Sequence, residues 1–268
     1  MNTPYVHGYD AMESGRLADQ ARTLDELLHH DTCYPAGSRV LEAGCGTGAQ
    51  TAILARRSPG AHITAVDIAA DSLVAARQRL EAMDIADVAF RQADGARLPF
   101  AAHHFDHVFV CFVLEHLAHP ESMLQELKRV LKPGGSLTVI EGDHGSFYCY
   151  PQTGAACRVV RCLIDLQAAC GGDALIGRRL YPLLQQARFE EVRVDPRVVY
   201  VDPSRPAWEE GFSRQTFIAM VSGVEQAAID GGLIDPADWR QGIEDLEATV
   251  GRGTFHYTFF KAVARGPR

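Results

Sequence analysis

The 268 residues carry a formal net charge of −8 and only three lysines, Lys128, Lys132 and Lys261. That balance argues against a phosphate-neutralising surface, and so against nucleic acid as the partner. The chain is long enough for one elaborated domain. It has no apolar run of spanning length and no signal-peptide pattern, so a cytoplasmic location without membrane contact is expected. The seven cysteines, odd in number and without a Cys-x-x-Cys pair, read as free thiols in a reducing compartment, with no metal site.

Residues 1–10 form an aromatic arm with Tyr5, His7 and Tyr9 and no periodicity. A helix is expected from Met12 to Leu28, with Leu17, Ala21, Leu24, Leu27 and Leu28 on one face. Arg16 and Gln20 are one turn apart on it. Tyr34-Pro35-Ala36-Gly37 is a turn. Val40 and Leu41 then read as the end of a buried strand, followed by glycines at 44, 46 and 48 and a helix from Ala49 to Arg57. A strand, a glycine turn and a helix N-terminus are where an open α/β sheet holds a nucleotide-like ligand. Gly44-x-Gly46-x-x-Ala49 also fits a dinucleotide fingerprint. Glu42, at the mouth of the strand, repels a pyrophosphate and suits a cationic group instead.

A second strand, Ala61 to Asp67, ends in an acid about twenty residues beyond the glycines, the spacing at which an acid accepts from both ribose hydroxyls. Asp71 or Ser72 caps the next helix, which runs to Met83. Val88 to Gly95 is a third strand with its exit turn, and Asp94 is either a turn residue or a ligand contact. The fourth strand, His107 to Phe112, exits through Val113-Leu114-Glu115-His116-Leu117. A helix follows with Pro120 in its first turn, then the turn Lys132-Pro133-Gly134-Gly135 and a fifth strand, Ser136 to Glu141. Five strand-and-helix units imply a doubly wound parallel sheet.

The stretches VLEAGCGTG, LPF with FDHVFVCFVLEHL, and LKPGGSLTVIE resemble the class I S-adenosylmethionine (AdoMet)-dependent methyltransferases, in particular the small-molecule, UbiE-like branch. The resemblance is strong over residues 38–141. It implies a Rossmann-like seven-stranded α/β sheet, mostly parallel with an antiparallel last strand, plus helical cap insertions. It also implies AdoMet as cofactor and S-adenosylhomocysteine as product. By the same resemblance Tyr9 lies near the methionine portion, while Arg16 and Gln20 reach its carboxylate. Glu42, Ala43, Gly44 and Gly46 form the loop contacts, and Asp67 with Ile68 the ribose side. Asp94, flanked by Ala93 and Gly95, sits at the adenine. Cys111 and Phe112 lie near the methionine portion, and His116, often an architectural histidine at a helix start, is counted with them among the cofactor-binding residues.

Acceptor recognition falls to the second half. The stretch from Gly142 to Tyr150 reads as a polar, aromatic loop opening on the cleft. In it His144 is the candidate general base, with Asp143 or Glu141 as its orienter. An ordinary loop of turn residues is the alternative. Helices are expected over 155–169 and 176–187 and a sixth strand over 191–201. Two more helices, Trp208 to Asp230 and Pro236 to Thr249, precede a last strand from Thr254. That insertion splits the closing hairpin. It serves as an acceptor cap lined by Phe212, Arg214, Phe217 and Met220, or as a homodimer surface. The chain thus divides into 1–34 (lid and helix), 35–141 (cofactor core), 142–201, 202–253 (insertion) and 254–268. The expected function is metal-independent methyl transfer to a small organic metabolite. The competing readings are an NAD-dependent dehydrogenase, a non-catalytic AdoMet-binding module and a methyltransferase acting on a macromolecule.

Overall fold

The computed structural model describes the backbone of residues 11–268 and the side chains from residue 20 onward. Seven strands make one sheet: β1 (Arg39–Ala43), β2 (His62–Asp67), β3 (Val88–Gln92), β4 (Phe105–Cys111), β5 (Leu131–Tyr150), β6 (Glu190–Val201) and β7 (Thr254–Arg265). Their order is β3-β2-β1-β4-β5-β7-β6. The pairs β1 with β2, β1 with β4, β2 with β3 and β4 with β5 are parallel, and β7 runs antiparallel to both β5 and β6. The order reverses between β1 and β4, which opens a crevice at their carboxyl ends.

Helices cover both faces because the central strands are apolar on both. Val40, Leu41 and Ala43 of β1 are all buried, the pattern of a strand covered on each side. On one face α1 (Ala11–His29), α5 (Gly154–Ala169) and the insertion pack on Phe109, Ile140, Phe255, Tyr257 and Phe259. On the other, α4 (Pro120–Val130) and α6 (Leu180–Gln186) pack on Val108, Val110, Leu137, Val139 and Ala262. Lys261 of β7 is buried. Its ammonium donates to Leu28 O (3.1 Å), Asp31 Oδ1 (2.5 Å) and Thr32 Oγ1 (2.6 Å), tying the C-terminus of α1 to the sheet. A cation at a helix C-terminus also complements the helix dipole.

The structure corrects three expectations of local structure. Residues 142–150 are not a loop: β5 continues through them against β7, with Asp143 opposite Thr258 and Tyr148 opposite His256 and a bulge between. β5 also begins earlier than expected, at Leu131. The helix expected from Trp208 to Asp230 is broken into α7 (Pro206–Trp208), a π-helical segment Glu209–Ile218, α8 (Ala219–Ser222) and α9 (Glu225–Asp230). The second helix of the insertion, α10 (Pro236–Glu247), is continuous and starts at an Asp235 cap.

Candidate active site

The crevice is built from the exits of β1, β2 and β4. Gly44, Gly46 and Gly48 have φ of 78°, 50° and 79°, a region that favours glycine. At Gly44 the requirement is double, since a Cβ there would lie 2.5 Å from Val113 Cγ2. The two rims of the crevice are therefore in direct contact through a residue with no side chain. Asp67, ending β2, closes the loop from the far side: Oδ2 accepts from Gly46 N (2.8 Å) and Oδ1 from Ala69 N (2.9 Å). An ionised carboxylate has about four acceptor positions, so each oxygen retains one for a ligand.

Glu42 lies inside β1 rather than at its mouth. It is 2% exposed, and its Oε2 is buried with no hydrogen-bond partner. Burial pushes its carboxyl up to about 8, with Asp67 adding to the rise and Thr51 opposing it. An unsatisfied buried acceptor beside a glycine loop is costly, and a cationic ligand group would satisfy it. A pyrophosphate would not.

Above the β4 exit stands a second polar group. The 3₁₀ turn Leu114–His116 begins where Val113 N and Leu114 N donate to Glu141 Oε1 (3.1 and 2.7 Å). Glu141 is fully buried, and burial with the nearby Glu115 holds its carboxyl well above the usual range. Glu115 reaches between two histidines, with Oε1 3.5 Å from His116 Nε2 and Oε2 3.9 Å from His144 Nε2. Tyr257 Oη lies 2.7 Å from His144 Nδ1.

The sequence profile described as a methyltransferase domain matches residues 41–139. The chain spans about half the length of the curated relatives it matches. The methyltransferase GfsG of Streptomyces halstedii is 31% identical over 141 residues, 52% of this chain and 50% of that one. A demethylmenaquinone methyltransferase of Thermus thermophilus is 41% identical over 106 residues, 40% of this chain and 48% of that one. Among solved structures, YcgJ of Bacillus subtilis superposes with a TM-score of 0.60 at 14% identity, covering 92% of this chain and 99% of that one. Geranyl diphosphate C-methyltransferase of Streptomyces coelicolor gives 0.53 at 17% identity, covering 92% and 75%. These two likenesses concern the fold.

In the structure the sequence-derived residues fall as follows. Glu42, Ala43, Gly44, Gly46, Asp67, Cys111 and Phe112 converge on the exits of β1, β2 and β4. Ile68 is half exposed at the β2 exit. Ala93, Asp94 and Gly95 form the turn after β3, where Asp94 Oδ1 accepts from Ala96 N (2.9 Å) and Gly95 abuts Met123. Gln20 is buried on α1. Tyr9 and the side chain of Arg16 lie outside the described residues.

Three assignments around the acceptor are corrected. Asp143 does not orient His144; its carboxylate is held by Arg178 through Nε (2.7 Å) and Nη2 (2.8 Å). Glu141 does not either: its Oε1 takes the amides of the 3₁₀ turn, and its Oε2 is buried without a hydrogen-bond partner. Arg214 lines nothing: it pairs with Glu210 and Glu247 at the surface. Phe212 and Phe217 are buried against Phe255, Tyr257 and Phe259. The sequence reading did not single out Glu115 and Tyr257, which the structure places beside His144. The one signal for Tyr257 was its place in the alternation Phe255-Tyr257-Phe259.

Proposed function

We propose that the chain is an AdoMet-dependent methyltransferase that moves a methyl group to a small organic acceptor, without a metal ion. The observation that carries this reading is the pair of acids around the glycine loop: buried Glu42 with an unsatisfied oxygen, and Asp67 with acceptor capacity to spare. A ligand with a cationic amino acid head at one end and a ribose at the other answers both. When bound, AdoMet supplies an electrophilic methyl carbon on a sulfonium that leaves as a neutral thioether.

The chain's own work is then binding, alignment and exclusion of water. Asp67 accepts from the ribose hydroxyls, Asp94 from the adenine amine, and Glu42 faces the positive end. Gln20 on α1 reaches the carboxylate, and Phe112 and Cys111 border the methyl. A proton that the acceptor must lose is taken up at His144.

Calorimetry with AdoMet, S-adenosylhomocysteine and NAD tests the cofactor. Binding of the first two is expected. Asp67→Asn should weaken AdoMet by about tenfold or more, the loss of a charge-assisted hydrogen bond. Tight binding of NAD without AdoMet would sink the reading. Transfer of label from methyl-labelled AdoMet into a metabolite extract then separates an enzyme from a binding module.

A further inference from the structure

His144 is engaged by the protein at both ring nitrogens. Nε2 looks toward the Glu115 carboxylate at 3.9 Å and Nδ1 sits 2.7 Å from the Tyr257 hydroxyl. The charge of the carboxylate favours a hydrogen on Nε2, and in that tautomer Nδ1 holds the lone pair and Tyr257 donates to it. Carboxylate, imidazole and hydroxyl then follow one another, the order in which a hydroxyl is made ready to pass on its proton.

The surroundings enforce that order. Gln167 Nε2 donates to Glu115 O (3.0 Å) and lies 3.4 Å from its Oε2. The grip of Arg178 on Asp143 keeps that acid off the ring. Gly142 has an ordinary strand φ, so its backbone does not demand glycine. A Cβ there, however, would lie 2.4 Å from Tyr257 Oη. Glycine at 142 is thus explained by the approach of the hydroxyl over β5. Burial, with Glu115 and Asp143 nearby, holds the Tyr257 phenol well above its usual range, so it is present as O–H. Around it stand Phe212, Phe217 and Phe259, and Phe112 meets Phe259 at 5.4 Å.

We propose that Tyr257 is the catalytic residue that receives the acceptor's proton, relayed through His144 to the side of Glu115, and that the acceptor is an apolar molecule with a weakly acidic O–H or C–H. This rests on the methyltransferase reading and names its acceptor class. As the bond from acceptor oxygen or carbon to the methyl carbon forms, the carbon–sulfur bond breaks and its electron pair stays on sulfur. The acceptor's proton passes to the Tyr257 oxygen, the Tyr257 proton passes to His144 Nδ1, and Glu115 holds the resulting imidazolium. His144 and Glu115 are positioning residues, since they act through Tyr257. A thiolate, a carboxylate or a neutral amine would have little use for such a relay.

Nitrogen-15 NMR of histidine-labelled protein, with His144→Gln to assign the signal, reads the relay without any acceptor. The expected state is hydrogen on Nε2 and a hydrogen-bonded bare Nδ1, with the Nδ1 shift altered in Tyr257→Phe and in Gly142→Ala. Hydrogen on Nδ1, or a signal indifferent to Tyr257→Phe, overturns the proposal. In label transfer from AdoMet to a metabolite extract, Tyr257→Phe should lower turnover by about 10²-fold while AdoMet affinity stays within about twofold. The labelled product should be a methyl ether or a C-methyl compound. Retained turnover, or a methyl ester, thioether or methylamine as product, overturns it as well. Absence of transfer by the unmodified chain would strike the methyltransferase reading instead, and the NMR result would still decide the relay.

Discussion

Glu42 is buried within β1, where a charged carboxylate has almost no water. Its folded-state value of about 8 lies above the ordinary carboxylate range. The unfolded chain therefore ionises first, and the folded chain keeps its proton longer. Stability from this group is fully present at pH 4 and falls as pH rises toward 8, by an amount on the order of a few kcal/mol. Glu42→Gln should flatten that fall, so the variant should gain on the parent chain in urea titrations at pH 8 relative to pH 5. A cation arriving beside Glu42 favours its ionised form. AdoMet binding at pH 7 should therefore release a proton, seen as a dependence of calorimetric enthalpy on the buffer's ionisation enthalpy, and Glu42→Gln should remove it. An unchanged proton count in the variant would show that another group titrates. That an acid belonged at position 42 was readable from the chain, because the glycine loop is a local pattern. That this acid would be buried and unsatisfied was not, since its neighbours come from β2, β4 and α2 (Ala49–Arg57).

Gly44 and Gly37 separate two costs that a glycine can hide. Both sit near φ +79°, where a side chain costs about 1–2 kcal/mol. A Cβ at Gly37 meets nothing within 4 Å, whereas one at Gly44 meets Val113 at 2.5 Å. Gly37→Ala should therefore show the backbone cost alone in urea midpoint. Gly44→Ala should lose more stability and AdoMet affinity together, because relief of the clash moves the β4 exit away from β1. Equal losses would mean that Val113 moves aside freely. The same contrast explains what was legible among the strands. β1 to β4 were readable because each is a short apolar run closed by a turn signal. The extension of β5 was not. Gly142, Asp143, Gly145 and Ser146 are turn formers in isolation, and pairing with β7 decides their conformation. Tyr257 and His144 are 113 residues apart, so no local pattern joins them.

The insertion between β6 and β7 is bound to the rest of the molecule at backbone distance. A Cβ on Gly211 would lie 2.6 Å from Thr23 Oγ1 of α1, and one on Gly242 would lie 2.5 Å from Val159 of α5. Its Phe212, Phe217, Val221, Trp239 and Leu246 are buried, and they share one core with Phe255, Tyr257 and Phe259 of β7. Aromatic side chains of this kind bury about 150–250 Å² each, worth several kcal/mol apiece. The sheet itself would tolerate a shorter connection, because Val201 and Phe255 are already paired neighbours on β6 and β7. Replacing residues 202–253 by a short Asn-Gly turn thus leaves the hairpin possible but strips the cover from one face of β7 and the support from α1. The expected product is an expanded protein that binds ANS, loses near-ultraviolet circular dichroism and, on the proposed role of Gln20 at the cofactor, no longer binds AdoMet. A surface that served only to join two copies would behave in the opposite way. Its removal would yield a compact monomer with AdoMet affinity intact, measurable by light scattering and calorimetry on the same sample. The buried rings on both sides of that contact make the first outcome the physical expectation, and they make the insertion part of the wall around Tyr257.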